Sequence, residues 1–382
     1  MNRLHGQIQL AVLVSGVVLA SSRLSAWDQQ EPMHPLPADL VADWTRAGAT
    51  VGWSTTDNDY GLVGFRERGF QGKKGEVPGF HFGEWTEGVI SKLPQPHRAF
   101  GLDLMTTKVT DAGLKELVGL QNLQSLNLRE TKITDAGLKH LAPLKGLQAL
   151  SLTETKITDA GLKELAGIPS LQCLGLSGTA ITNQGLKEVA GLKSLQMLDL
   201  SQTNVSDKGL KELAGLARLQ TLILVDTKVT DAGIKQLAGL KTLEILDLSE
   251  TTVTDAGLKV LTGLEHLQVL NLGSVEITDA GLKHLVRLTN LLALDLGGTE
   301  VTDAGLMTLS ELKGLQSLDL NSTKITDAGL KKLAALESLH TLGLTETNVT
   351  DVGLKELAEL KKLRTLELTG TKVTDAGLKE LA

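Results

Sequence analysis

Residues Leu123–Leu144 read LQSLNLRETKITDAGLKHLAPL, and close copies of this stretch recur along the chain. Gly113, Gly137, Gly161, Gly185, Gly209, Gly233, Gly257, Gly281, Gly305, Gly329, Gly353 and Gly377 step by 24 residues, with no insertion or deletion. Internal identity at a fixed period is the signature of stacked repeats. In the quoted copy, Leu123, Leu126 and Leu128 form L-x-x-L-x-L. This spacing puts Leu126 and Leu128 on one face of a short strand. Thr131 and Ile133 follow as the chain turns, and Asp135 is placed to cap a helix with its carboxylate. Leu138, Leu141 and Leu144 then fall on one helical stripe. A single repeat cannot bury these leucines, whereas stacked neighbours can. Helices are bulkier than strands, which stack at about 4.8 Å, so the array is expected to curve.

The repeat L-x-x-L-x-L-x-x-T-x-I-T-D-A-G-L-K-x-L resembles the leucine-rich repeat family, and its I-T-D-x-G-L portion is similar to the cysteine-containing, ribonuclease-inhibitor-like subclass. The resemblance covers about three quarters of the chain. It implies an α/β horseshoe solenoid with a parallel sheet on the concave face and helices on the convex face. Thr takes the turn position that carries Cys or Asn in that subclass: Thr107, Thr131, Thr155, Thr179, Thr203, Thr227, Thr251, Thr299, Thr323, Thr347 and Thr371, with Val275 the one departure. By the resemblance these side chains are expected to bond to the backbone of neighbouring turns, as a hydroxyl can, leaving a weak point at Val275.

Outside residues 101–382, with their roughly twelve repeats, two segments differ. Residues 1–26 read as a secretory signal peptide: Arg3, an apolar run from Leu10 to Ala20, then small residues up to Ala26. That run is too short to span a bilayer, which needs about 20 residues. The expected address is secreted, periplasmic or cell-surface, with no membrane span after cleavage. The single cysteine, Cys173, cannot form an internal disulfide. Residues 27–100 hold all the aromatics: Trp27, Trp44, Trp53, Trp85, Tyr60, Phe65, Phe70, Phe80, Phe82 and Phe100. They are expected to form an α+β capping module over the first leucine layer. Its expected parts are helices at Asp39–Ala47 and Glu84–Leu93, strands at Thr50–Trp53 and Leu62–Phe65, and turns or loops at Asp57–Tyr60 and Gln71–Gly75. No comparable module follows the last repeat, so the strand at Leu366–Leu368 is expected to present an open edge that favours end-to-end association.

The side chains between the strand leucines should face outward on the inner sheet. They read Asp103, Asn127, Ser151, Gly175, Asp199, Ile223, Asp247, Asn271, Asp295, Asp319, Gly343 and Glu367. Glu130, Glu154, Asp226, Glu250 and Glu346 follow closely after, against one base, Arg129. A face of one sign steers a partner of the other sign. In the middle of the array, Met197, Ile223, Val225, Ile245 and Val269 replace polar residues. They are expected to form an apolar contact patch rimmed by Asp199, Asp226 and Asp247, with Asp295 and Asp319 beyond.

No catalytic constellation, metal-ligand spacing or phosphate loop is apparent, and neither a cofactor nor a metal is expected. The net charge of −7 argues against nucleic acid. The sequence points to a non-enzymatic exported protein that binds a macromolecule on its acidic concave face. A protein with a basic surface is the first expectation, and a cell-envelope polymer is another. Two alternatives are a self-assembling surface protein and a substrate-recognition protein like the ubiquitin-ligase adaptors.

Overall fold

The computed structural model describes residues 34–55, 63–67, 73 and 75–379. The expected signal peptide, Trp27, Tyr60, Phe70 and the loop at Asp57–Tyr60 lie outside the described residues. The chain divides into two compact units, one built around Arg23–Leu222 and the other around Ile223–Ala382.

In the first unit, helix α1 (Ala38–Arg46) precedes strands β1 (Ala49–Thr55), β2 (Gly64–Glu67) and β3 (Val77–Phe82). Strand β1 pairs antiparallel with both β2 and β3. From β3 onward the pairing is parallel, through β4 (Phe100–Asp103), β5 (Leu123–Asn127), β6 (Ala149–Ser151), β7 (Cys173–Gly175) and β8 (Met197–Asp199). Among the described rings of this unit, Trp44, Trp53, Phe80, Phe82 and Phe100 are buried, and Phe65 and Trp85 are half-buried. Trp44 stacks on Phe80 at 4.2 Å between centroids, meets Phe100 edge-on, and donates its Nε1 proton to Pro94 O at 2.9 Å.

Two expectations for this region need correction. Residues 84–93 contain only a 3-10 turn at Ile90–Lys92. Gly88 takes φ 77°, outside helical space, and its N–H is drawn to the Glu116 carboxylate at 2.6 Å. Strand β3 was not anticipated, because Pro78 in Val77–Phe82 counts against a strand interior.

Strand β9 (Thr221–Ile223) spans the boundary between units. The second unit carries β10 (Ile245–Asp247), β11 (Val269–Asn271), β12 (Ala293–Asp295), β13 (Ser317–Asp319), β14 (Thr341–Gly343) and β15 (Thr365–Glu367). These pair in parallel, each strand in register with the same three positions of the next. Short helices return between strands, such as Asp279–Leu285 and Asp303–Leu309. The repeat leucines, among them Leu294, Leu296, Leu306 and Leu309, are fully buried between the layers. Helix length follows sequence: the quoted copy keeps only Asp135–Leu138, with Pro143 downstream, yet Leu141 and Leu144 remain buried.

Two hydrogen-bond systems differ from expectation. The turn threonines bond within their own repeat. Thr131 Oγ1 donates to Leu128 O and Thr299 Oγ1 to Leu296 O, both at 2.6 Å. The hydroxyl lies three residues beyond that carbonyl and closes a local turn. Links between repeats come instead from the aspartate expected to cap the helix. Asp135 takes Thr158 N at 2.8 Å and Thr158 Oγ1 at 2.6 Å. The cap of its own helix is Thr134, whose hydroxyl accepts from Ala136 N. The invariant glycine follows from this clamp. A Cβ on Gly161 would lie 2.4 Å from Asp135 Oδ1.

Candidate functional site

The strand-lined face carries three columns of side chains, at the first and third positions of each strand and in the turn beyond. Parallel, in-register pairing aligns each column. At strand spacing, neighbours flank every side chain on both sides and leave only its tip in reach of solvent.

The sequence-chosen residues are therefore less open than expected. Met197 is 5 % exposed, and Ile223 and Val269 are 2 % exposed. Ile245 and Val225 are half-buried. Ile245 packs against Val269 and Ala293, with Leu292 beside them, as one apolar group. Asp199, Asp247, Asp295 and Asp319 are also buried, whereas Asp226 is exposed. Met197 and Asp199 belong to the Arg23–Leu222 unit, and the other eight chosen residues to the Ile223–Ala382 unit.

Each buried carboxylate has a local task. Asp199 Oδ1 accepts from Ser201 N at 2.8 Å, Asp247 Oδ1 from Ser249 N at 2.9 Å, and Asp295 Oδ1 from Gly297 N at 2.7 Å. Asn271 does the same with Gly273 N at 2.9 Å. These bonds close the chain as it leaves the strand, so part of the Asp and Asn preference is structural. Burial raises Asp199 above the ordinary carboxylate range. Burial also raises Asp103, opposed by the Met105 amide and by His81, whose Nδ1 lies 3.3 Å from Asp103 Oδ2. Desolvation pushes Cys173, fully buried, up to about 12, so it stays a protonated, unreactive thiol.

The turn column was acidic in sequence, but its backbone was not anticipated. Glu130, Glu154, Asp226, Glu250 and Glu346 all adopt φ between 51° and 57°, the left-handed region. Gly178, Gly298 and Gly370 occupy the same repeat position with positive φ. Those three glycines, in a column of acids and small polar residues, were the readable signal. In the first unit, Arg129 ion-pairs with Glu130 and Glu154 and so neutralises part of the column. In the second unit, burial first and then the neighbouring Asp226 charge raise Glu250.

A leucine rich repeat profile matches residues 121–181, and a second matches 191–214, 239–261, 263–286, 287–310, 315–334 and 359–382. The chain belongs to the leucine-rich-repeat family. Its fold class is the leucine-rich-repeat solenoid, with parallel strands on one side of each unit and helices on the other. An internalin (InlF) of Listeria monocytogenes has a similar crystal structure, with a TM-score of 0.60 and 25 % identity over 80 % of this chain and 84 % of that one. A TDR receptor structure aligns with a TM-score of 0.48 and 17 % identity over 72 % of this chain and 56 % of that one. No curated protein matches the sequence. Among the described residues of this leucine-rich-repeat protein, no helix is long and apolar enough to cross a membrane, and no group of three or more His, Cys, Asp or Glu could hold a metal ion.

Proposed function

We propose that this leucine-rich-repeat protein is a non-enzymatic binding protein that works outside the cytoplasm and holds a protein partner of basic surface on its strand-lined face. The observation that carries this reading is the pair of exposed acids Asp226 and Glu250, close enough for the Asp226 charge to raise Glu250, in the same unit as the apolar group of Ile245, Val269 and Ala293. No base ion-pairs Glu250 among the described residues. Half-covered apolar side chains beside acids suit a contact in which the partner's basic rim meets the acids and its apolar centre meets Ile245. The leader-like residues 1–26 and the likeness to an internalin support the address. The buried rings of residues 34–100 support a capping role for that segment.

The test is affinity capture from extracellular and envelope fractions, using the whole chain and a variant carrying Asp226→Lys and Glu250→Lys. Both positions are open enough to accept lysine without disturbing the leucine layers. A protein held by the first bait and released by the second, with unchanged circular dichroism, supports the proposal. Equal retention by both baits moves the contact elsewhere.

A further inference from the structure

The buried carboxylates of the strand-lined face do not share one environment. Asp103 has His81 at 3.3 Å, and Asp199 has the Ser201 hydroxyl at 2.5 Å. Asp247 Oδ2 accepts from the amide of Asn271 at 3.0 Å. Asp295 and Asp319 stand differently. They occupy directly paired positions of β12 and β13, and they are 3 % and 6 % exposed. Among the described residues, no lysine, arginine or histidine ion-pairs either one.

Their surroundings add further acids rather than compensation. On the β11 side stands Asn271, whose amide is engaged by Asp247, and Asp247 itself lies one strand further. On the other side, Gly343 offers no side chain, and Glu367 follows on β15. Glu367 Oε2 lies 3.4 Å from Asn321 Nδ2. The turn column beyond holds Ser274, Gly298 and Ser322, flanked by Glu250 and Glu346. Asp319 is served by Asn321, through its N–H at 2.7 Å and its Nδ2 at 3.1 Å. Asp295 receives only the Gly297 N–H, on Oδ1, and no donor among the described residues reaches its Oδ2. A Cβ on Gly297 would lie 3.1 Å from Asp295 Oδ1 and 3.4 Å from Asp319 Oδ1, so both carboxylates crowd the same glycine.

We propose that Asp295 and Asp319 carry one proton between them near neutral pH, which makes the strand-lined face of the 223–382 unit a proton-responsive surface. Two adjacent carboxylates that are desolvated and lack a counter-charge cannot both ionise cheaply, and a retained proton removes the repulsion. Burial and, for Asp295, the neighbouring Asp319 charge raise both groups, Asp319 to about 6 and Asp295 well above the ordinary range. The folded pair thus binds more protons than the unfolded chain. Its contribution to stability is fully present below the unfolded carboxylate range and is lost as pH rises through the folded values. Proton uptake also makes the face less negative, and a weaker hold on a basic partner in mild acid follows if the binding reading is right. The proton itself belongs to the free protein.

The test uses the whole chain without a partner. Carboxyl-detected carbon NMR titrations compare the wild type with Asp295→Asn and Asp319→Asn, and denaturant unfolding is followed at about pH 5 to about pH 8. An aspartate midpoint near or above 6 in the wild type is expected, dropping for the remaining member in each variant. The wild-type unfolding constant should rise with pH towards about tenfold per unit, with a flatter slope in both variants. Wild-type aspartates that all titrate in the ordinary range, or variants with the wild-type slope, overturn the proposal. Either variant suffices if the other fails to fold. Failure here leaves the Asp226 and Glu250 capture result untouched, and failure of that capture leaves this titration untouched.

Discussion

At the scale of single residues, one side chain does the work of joining repeats. Asp303 accepts from Thr326 N at 2.9 Å and from Thr326 Oγ1 at 2.6 Å. Thr326 in turn caps its own helix by accepting from Ala328 N. Where the chain has Asn183 instead, the partner is Ser206, and Asn183 Nδ2 donates to Ser206 Oγ at 2.9 Å. That serine makes no cap bond. Asp303→Ala strands the Thr326 donors and is expected to cost about 1–3 kcal/mol, read by denaturant unfolding. Gly281→Ala would ordinarily favour a helix by about 1 kcal/mol. Here its Cβ would lie 2.3 Å from Asp255 Oδ1, and Asp255 is held by Thr278. The same measurement should therefore show a loss of stability, and a gain would refute the clamp as the reason for the glycine.

At the scale of elements, each turn of the chain is set by a hydroxyl and a left-handed residue. Val275 is the one turn position without the hydroxyl, and it is buried. Val275→Thr should let Oγ1 reach Leu272 O, as its counterparts do, and stabilise the protein by about 1 kcal/mol. An unchanged or lowered unfolding midpoint would contradict this. Left-handed backbone in a non-glycine residue costs about 1 kcal/mol or more. Glu250 accepts that cost at φ 55°. Glu250→Gly is expected to raise thermal stability while weakening partner capture, separating the two roles of the position.

At the scale of the molecule, each unit is an array in which a repeat touches mainly its neighbours. Its ends are therefore where it opens first. Trp44 is fully buried at the start of the Arg23–Leu222 unit. Trp44→Ala should cost about 3–5 kcal/mol, and hydrogen exchange should show protection lost first in β1, β3 and β4. Protection lost evenly along the unit would contradict a capping role. Stability also meets an acid limit of opposite sign to the Asp295–Asp319 pair. The Thr374 amide and hydroxyl hold the half-exposed Asp351 carboxylate below its ordinary value. Its contribution is present above the unfolded carboxylate range and is lost as pH falls through the depressed folded value.

The sequence determined the period, the strand and helix within each repeat, and the leucines that would be buried, because regular spacing of apolar residues leaves one way to hide them all. It also placed Ile245 and Val269 on one face, but not Ala293 and Leu292, which complete their apolar group. Only the tertiary structure decided which oxygen each side chain would meet. Thr131 was expected to reach a neighbouring turn and Asp135 to cap its own helix, but Thr131 closes its own turn on Leu128 O, Thr134 supplies the cap, and stacking brings Asp135 onto Thr158 of the next repeat. The same stacking covered Ile223, Val269 and Asp295, which alternation alone had placed in the open. Exposure on a sheet depends on the neighbours one strand away, and those neighbours are 24 residues distant in the chain.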